Sequence, residues 1–262
     1  MNIFILKLIL APLIIGTASL AGRRWGPAVS GWLVGLPLTT GPVVFFVAVS
    51  HSTPFAASTV LGVLSGGISL VAFCISYSRL SAHFRWPISI SGSLAVFGTI
   101  TTLMQNFIQP LWIIFPMLLA AILAGFWLMP KETELVTIDV KPGRWDLPAR
   151  ILIGSSFIVG LTAIAPFIGP RLTGLISTIP LYTAILAVFA QRLHGPAGAN
   201  SVLRGLLLGL FGFAGFFLVL ALSLERTGIT TAFMLAIATT IAIQSLSFLV
   251  LRHYNFKIRR SL

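Results

Sequence analysis

The sequence predicts an all-α polytopic membrane protein with nine transmembrane helices, built as an inverted-topology repeat of two four-helix units joined by the fifth helix. Three observations predict this fold: repeated apolar runs, an internal duplication, and the distribution of Lys and Arg between the loops. The chain has 262 residues, of which 57% are hydrophobic and only 8% are charged. So few charges could not cover a water-soluble protein, whereas apolar runs of about 20 residues match a hydrocarbon core of about 30 Å.

The nine predicted helices are numbered here as spans 1 to 9. Their bounds are 3–22, 27–49, 55–78, 87–106, 110–129, 149–168, 171–191, 202–223 and 228–251. Spans 4 and 5 are separate because together they are too long for one crossing, and Pro110 suits the first turn of a new helix. The predicted domains are a first four-helix unit (1–106), span 5 with a polar cytoplasmic connector (107–148), and a second unit with a basic tail (149–262).

Two copies of one pattern occupy residues 26–73 and 169–216, separated by 143 positions without a gap. Of the 48 aligned positions, 14 are identical. The matched positions include Gly26-Pro27 with Gly169-Pro170, Gly31 with Gly174, Pro37-Leu38 with Pro180-Leu181, Thr40 with Thr183, Phe46 with Phe189, and His51 with His194. Spans 4 and 9 extend the likeness at an offset of 141. The chain is therefore predicted to be a duplicated unit, with spans 1–4 equivalent to spans 6–9.

The loop charges predict how the two copies are oriented. With the N-terminus outside, 14 of the 17 Lys and Arg residues face the cytoplasm, and only Lys7, Arg171 and Arg226 face outward. Because Lys and Arg on short loops resist translocation, we predict that the N-terminus is outside and the C-terminus is in the cytoplasm. Span 5 then makes the second copy enter the membrane from the opposite side. The net charge of +12 is thus explained by topology in a lipid bilayer and not by nucleic acid.

Pro37 and Pro180 lie near the middle of spans 2 and 7. A proline inside a helix removes a backbone hydrogen bond and clashes with the preceding turn, so both helices are predicted to break at equivalent points. Inverted-repeat transporters bind their substrates at such discontinuous helices. The predicted substrate-binding residues are Pro37, Thr39, Thr40, Gln105, Ser177, Thr178, Pro180, Tyr182, Thr183, Arg204 and Gln244. The alternative is that the prolines only shape the helix bundle and that Arg204 extends to the lipid headgroups.

A second motif that occurs in both copies is a pair of glycines four residues apart. Gly62 and Gly66 in span 3 recur as Gly205 and Gly209 in span 8. Small residues at this spacing let two helix backbones approach closely. We therefore expect these glycines to serve helix packing, with spans 3 and 8 close to the pseudo-two-fold axis. A homodimer interface is the alternative.

The positions of the histidine and acidic residues limit which cargoes and activities the sequence favours. His51 and His194 end spans 2 and 7 on opposite sides of the membrane, where each could relay protons or cap a helix C-terminus. All five Asp and Glu residues lie in predicted loops. A cation carrier normally needs a carboxylate within the membrane, so a neutral or anionic cargo is favoured. Metal-ligand spacing, a phosphate-binding loop and a nucleophile with a base are all lacking from the sequence, which predicts no metal, no cofactor and no enzymatic activity.

Part of the second copy resembles the GlpM-type small inner-membrane proteins, which are single four-helix units. The residues that carry the resemblance are Thr173-Gly174-Leu175-Ile176, Pro180-Leu181, Gly195 and Leu203-Arg204. The resemblance implies an envelope-related role, connected with exopolysaccharide production. It also implies that this chain is a duplicated and fused version of that four-helix unit.

These features predict a bacterial inner-membrane secondary transporter or exporter of a small neutral or anionic solute. It would work by alternating access around a midplane site between the proline-broken spans 2 and 7. Two other functions stay open: a membrane scaffold or accessory subunit for envelope or exopolysaccharide biosynthesis, and a channel. Changing Thr40 and Thr183 together should impair a transporter and leave a scaffold working.

Overall fold

The structure is a computed structural model, and it describes residues 9, 13, 32, 35–106, 110–130 and 146–259. Every extended regular element in these residues is an α-helix. The helices are α1 (Thr40–Ser50), α2 (Thr53–Ser81), α3 (Trp86–Asn106), α4 (Leu111–Leu128), α5 (Asp146–Ile168), α6 (Pro170–Ser177), α7 (Leu181–Thr227) and α8 (Ile229–Arg259). Several predicted segments lie outside the described residues. These are most of span 1, most of the first half of span 2, most of the connector and the last three residues.

Six helical stretches of the described chain are long and apolar enough to cross a membrane, which indicates a multi-pass membrane protein. Helix α4 shows why in detail. Trp112 and Trp127, near its two ends, are 74% and 85% exposed, and their separation of 15 positions corresponds to about 22 Å of helix. Tryptophans in these positions match the two interfacial regions of a bilayer, with the apolar part of the helix between them.

Spans 3 to 6 coincide with described helices to within three residues, whereas α8 continues eight residues beyond the end of span 9. Span 7 is divided between α6 and α7, and spans 7 and 8 are not separate helices. The predicted loop between them is largely helical, because α7 continues through it with one kink at Gly195. Gly195 has φ 67° and ψ −163°, a conformation that glycine adopts without the steric cost of a Cβ. Pro196 follows, where its fixed φ and missing N–H suit the first turn of the new segment.

The two ends of the bundle are defined here by their arginines. Helix α2 and the segment of α7 after Gly195 run antiparallel, since Ser78 near the end of α2 bonds Asn200 near the start of that segment. The "Arg79 end" holds the end of α2 and the kink of α7. The "Arg171 end" holds the starts of α2 and α6 and the end of α7. Helix α2 is the central element, with most of its length buried.

The glycine motifs lie against the broken helices rather than against each other. A Cβ built on Gly66 would lie 3.1 Å from the carbonyl oxygen of Leu175 in α6 and would collide with Thr178. A Cβ built on Gly209 would lie 2.8 Å from the Cα of Gly35 and would collide with the carbonyl oxygen of Trp32. Spans 3 and 8 do pack together, but their glycine faces are turned to spans 7 and 2 respectively.

Candidate functional site

The first helix break lies directly before α1. Residues 35–39 are not helical, and the Leu38 N–H donates to the carbonyl oxygen of Leu36 at 2.7 Å, across Pro37. Helical bonding starts with the Gly41 N–H, which donates to the carbonyl oxygen of Pro37 at 2.9 Å. Because proline has no N–H to continue a helix through this point, the chain makes a tight turn and α1 begins afresh.

The second break repeats this geometry between α6 and α7. The Leu181 N–H donates to the carbonyl oxygen of Ile179 at 2.8 Å, across Pro180, and the Ala184 N–H donates to that of Pro180 at 2.8 Å. Pro180 has φ −77° and ψ 50°, which is close to an inverse γ-turn. All four participating positions lie 143 residues after their counterparts in the first break.

The two breaks meet at one small cavity of about 40 Å³. It is lined by Gly35, Leu36, Thr39, Thr40, Leu70, Ser177, Thr178, Ile179, Pro180, Leu181, Tyr182, Thr183, Leu210 and Phe213. Seven of the predicted substrate-binding residues are therefore brought together: Thr39, Thr40, Ser177, Thr178, Pro180, Tyr182 and Thr183. A water molecule needs roughly 10–15 Å³ of such space, so the cavity has room for about three waters or for one small polar group.

Four of the six hydroxyl-bearing residues that line the cavity fall into two classes. Ser177 donates to the carbonyl oxygen of Gly174 at 2.6 Å, and Thr178 donates to that of Leu175 at 2.7 Å. Both protons are therefore used within α6. Thr40 and Thr183 are only 5% and 3% exposed, yet neither hydroxyl has a hydrogen-bond partner in the described part of the chain. Two threonine hydroxyls at the cavity wall therefore lack a hydrogen-bond partner within the described residues.

The backbone adds donors at the same place. Thr40 is the first residue of α1, and Thr183 lies in the first turn of α7. Within the described residues, neither of these two backbone N–H groups has a partner, as the first turn of a helix requires. None of the described residues that line the cavity is charged. The electrostatic field there is set mainly by helix ends. The N-termini of α1 and α7 each carry roughly half a positive charge, and the C-terminus of α6 carries roughly half a negative charge.

The remaining predicted binding residues lie elsewhere. Gln244 is buried against Gly212 and donates to the carbonyl oxygen of Gly209 at 3.0 Å, so it joins α8 to α7. Arg204 donates to the carbonyl oxygen of Pro130 at 3.2 Å, at the Arg79 end. Gln105 is near the end of α3, and its buried Oε1 has no partner within the described residues. None of these three side chains lines the cavity.

A second, apolar cavity of about 400 Å³ lies beside the first break, and Pro37 borders this cavity instead of the polar one. Its described lining is Leu36, Pro37, Leu38, Gly41, Pro42, Phe45, Phe216, Phe233, Ile237, Thr240 and Ile241. Leu36 borders both cavities. The linker before α1 thus separates a polar space from an apolar one.

The two histidines lie at opposite ends of the bundle. His51 follows α1 at the Arg171 end, with its ring 4.9 Å from that of Phe55. His194 precedes the kink of α7 at the Arg79 end, and its buried Nε2 has no partner within the described residues. Neither lines the cavity. Within the described chain, no group of three His, Cys, Asp or Glu residues is placed to hold a metal ion.

A cluster of side-chain hydrogen bonds joins α2 to α7 at the Arg79 end, and we name it the Arg79-end latch. Ser78 donates to Asn200 Oδ1 at 2.7 Å, and Asn200 donates to the carbonyl oxygen of Pro130 at 2.9 Å. The Tyr77 hydroxyl donates to Gln191 Oε1 at 2.9 Å, and the Gln191 amide donates to the carbonyl oxygen of Phe84 at 2.8 Å. These bonds tie α2 to both segments of α7.

Sequence reasoning did not identify the apolar walls of the polar cavity or the latch. Leu70 and Phe213 line the cavity from α2 and α7, and they occupy the same alignment position, 143 residues apart. That equivalence is the signal that could have found them. The latch had no such signal, because its residues have no polar counterparts in the other copy. Comparison of the chain with protein-family models, curated proteins and solved structures found no match.

Proposed function

We propose that this chain is a secondary transporter of a small neutral or anionic solute in a bacterial inner membrane. It would work by alternating access around the 40 Å³ cavity. One observation carries the proposal. Two broken helices, equivalent in the sequence repeat, open on one buried cavity, and each offers an unpartnered threonine there. Discontinuous helices that meet in this way form the substrate sites of inverted-repeat transporters.

The contacts of the two breaks support an inverted repeat. The offset of 143 relates Gly66 to Gly209, Leu175 to Trp32, and Thr178 to Gly35. The close approach of Gly66 to Leu175 and Thr178 therefore has an equivalent in that of Gly209 to Trp32 and Gly35. In each case the segment next to the break in one copy packs against a glycine in the other copy. This exchange is what a pseudo-two-fold axis between the breaks requires.

The charges support one orientation of this arrangement. Four basic residues, Arg79, Arg85, Arg192 and Arg204, lie at the Arg79 end among residues whose side chains are described, against Arg171 and Arg226 at the other end. By the excess of basic residues, the Arg79 end would be cytoplasmic. The N-terminus would then be outside, and the full protein would have nine spans, including span 1, which lies outside the described residues.

The latch supports a mechanism with two alternative closures. It would hold the cytoplasmic end shut by hydrogen bonds between the repeats. The offset relates Tyr77 and Ser78 to Leu220 and Ala221, and relates Gln191 and Asn200 to Ala48 and Ala57. At the Arg171 end the equivalent contacts are therefore apolar and carry no side-chain hydrogen bonds. Opening would exchange one closure for the other by rocking the two units about the cavity.

A direct test of transport compares small-molecule profiles of cells that lack the protein, cells with normal levels and cells that overexpress it. We expect one solute to change in opposite directions in the deletion and overexpression strains. The purified protein in proteoliposomes should then move that solute with saturable kinetics. Non-saturating flux would identify a channel. An altered envelope polysaccharide with no change in any small solute would support a scaffold and contradict transport.

The inversion has its own test by sided thiol labelling. The sole cysteine, Cys74, is buried, and Cys74→Ala provides a background without thiols. In that background, a membrane-impermeant thiol reagent should label His51→Cys from outside and His194→Cys from the cytoplasm. Labelling of both positions from one side would refute the inverted arrangement.

A further inference from the structure

We propose that the cavity between the broken helices binds a small anionic group with a single negative charge, such as a halide ion or a carboxylate. This inference rests on the proposed function, because it names the class of cargo for the same site. Its starting point is the pair of threonine hydroxyls at the cavity wall that have no hydrogen-bond partner within the described residues.

The free donors come in an equivalent pair. Thr40 and Thr183 each present a hydroxyl and a backbone N–H that have no partner within the described residues. Both threonines are more than nine-tenths buried and line the cavity. The few waters that the cavity admits, or a ligand, can satisfy these groups, and a donor left unpaired costs free energy. Four donors at one small space therefore favour a ligand that accepts several hydrogen bonds.

The neighbouring hydroxyls do not turn this site into a cation site. Ser177 and Thr178 use their protons within α6, so at the cavity their oxygens can only accept, but no carboxylate is among the described lining residues to balance a cation. A bound cation would have to lose its water shell for hydroxyl and carbonyl oxygens alone, close to two positive helix ends. The same helix ends attract an anion.

The magnitude of the helix field selects the charge of the ligand. The N-termini of α1 and α7 together present roughly one elementary positive charge, and the C-terminus of α6, at Ser177 and Thr178, offsets roughly half of it. The remaining positive field favours an anion and can balance at most a single negative charge. No Lys or Arg among the described lining residues is present to balance a second one. A dianion such as sulfate would therefore stay under-compensated in a site from which most water is excluded.

The volume of the cavity also favours a small ligand. At about 40 Å³, it admits the equivalent of about three water molecules. A halide ion, formate or the carboxylate group of a small organic acid fits this space. A larger monovalent anion such as gluconate exceeds it, which makes gluconate a matched probe of equal charge.

The binding experiment uses the purified full-length protein in detergent, first equilibrated in sodium gluconate at constant ionic strength. Chloride, formate and sulfate are then titrated separately, and binding is followed by the unfolding temperature and by calorimetry. We expect saturable stabilisation by chloride or formate and no saturable effect of sulfate. A response to chloride alone would identify a halide site, and a response to formate alone would identify a carboxylate site.

Variants connect the response to the two threonines. The double variant Thr40→Val, Thr183→Val removes only the hydroxyls and keeps the side-chain shape. It should raise the apparent Kd about tenfold or more, because a hydrogen bond to a charged group contributes about 1.5–3 kcal/mol. Thr40→Ser with Thr183→Ser keeps the hydroxyls and should bind like the wild type. Thr59→Val is the control, since buried Thr59 donates to its own helix at Phe55.

The outcomes separate this inference from the proposed transport. Equal effects of chloride, formate and sulfate in the gluconate background would overturn the anion site, as would an unchanged Kd in the folded valine variant. Saturable binding of a neutral probe such as glycerol through the same threonines would overturn the anion site and leave transport standing. Saturable anion binding without flux in proteoliposomes would support the anion site and contradict transport.

Discussion

Gly35 and Gly209 touch backbone to backbone, so that a Cβ built on Gly35 would lie 2.6 Å from the Cα of Gly209. Through this contact, the segment before α1 packs against α7. Thr178, after α6, packs in the same way against Gly66 in α2. At Gly35, Gly66 and Gly209 there is no room for a side chain. The position of the cavity therefore depends on glycine in both copies.

The first prediction concerns this contact. Gly209→Ala places a methyl group against Gly35 and the carbonyl oxygen of Trp32, and should destabilise the protein by about 1–3 kcal/mol through overpacking. Gly98→Ala is the matched control, because a Cβ there meets no atom within 4 Å, and alanine favours a helix by up to about 1 kcal/mol. Unfolding temperatures in detergent should move in opposite directions. A Gly209→Ala protein as stable as Gly98→Ala would refute the close packing.

The second prediction uses the equivalence of the copies. Thr40→Val and Thr183→Val, made singly, should impair solute transport to a similar degree, because each removes one donor from the same cavity. The measurement is the ability of each variant to restore the wild-type solute profile in deletion cells. Thr59→Val should restore it fully. A defect confined to one of the two cavity variants would argue against a site shared equally by the two breaks.

The third prediction concerns the helix breaks. Pro180→Ala supplies the N–H that the break lacks and lets α6 and α7 form one continuous helix. We expect transport to fall strongly while the purified protein remains folded and monodisperse. Pro54→Ala is the control, since Pro54 lies in the first turn of α2, where proline interrupts no helical hydrogen bond. Normal transport by Pro180→Ala would show that the break is only a structural kink.

The fourth prediction concerns the Arg79-end latch. Asn200→Ala removes the partner of Ser78 and of the Pro130 carbonyl, and should favour opening at this end. In the Cys74→Ala background, Thr183→Cys should then react faster with a thiol reagent added on the Arg79 side. Ser223→Ala is the control, because Ser223 bonds only within α7, to Val219. An unchanged rate in Asn200→Ala would remove the latch from the mechanism.

Most helices and most of the polar cavity wall were predictable from sequence, because apolar length and the repeat determine them independently. Pro37 and Pro180 located both breaks, and the residues around them supplied seven predicted cavity residues. The direction of the glycine faces was not predictable. Gly62 and Gly66 face α6 and not α7, and in helices that are apolar on every side, periodicity does not reveal which neighbour a face contacts.

The roles of two glutamines and one arginine were likewise beyond sequence reasoning. Gln244 was predicted to bind substrate but joins α8 to the backbone at Gly209, and Arg204 reaches Pro130. Gln105 lies apart from the cavity near the end of α3. A polar residue in a membrane helix needs a partner, but its sequence position does not say whether that partner is a ligand or a backbone carbonyl.

The measurement that tests the central claim most directly is sided labelling of Thr183→Cys in the Cys74→Ala protein, reconstituted in proteoliposomes. Alternating access predicts that a membrane-impermeant thiol reagent reaches this cavity position from either side. A disulfide between Ser78→Cys and Asn200→Cys, which replaces a 2.7 Å hydrogen bond of the latch, should abolish labelling from the Arg79 side and preserve it from the other. Labelling from neither side, or from one side only without the disulfide, would contradict the account.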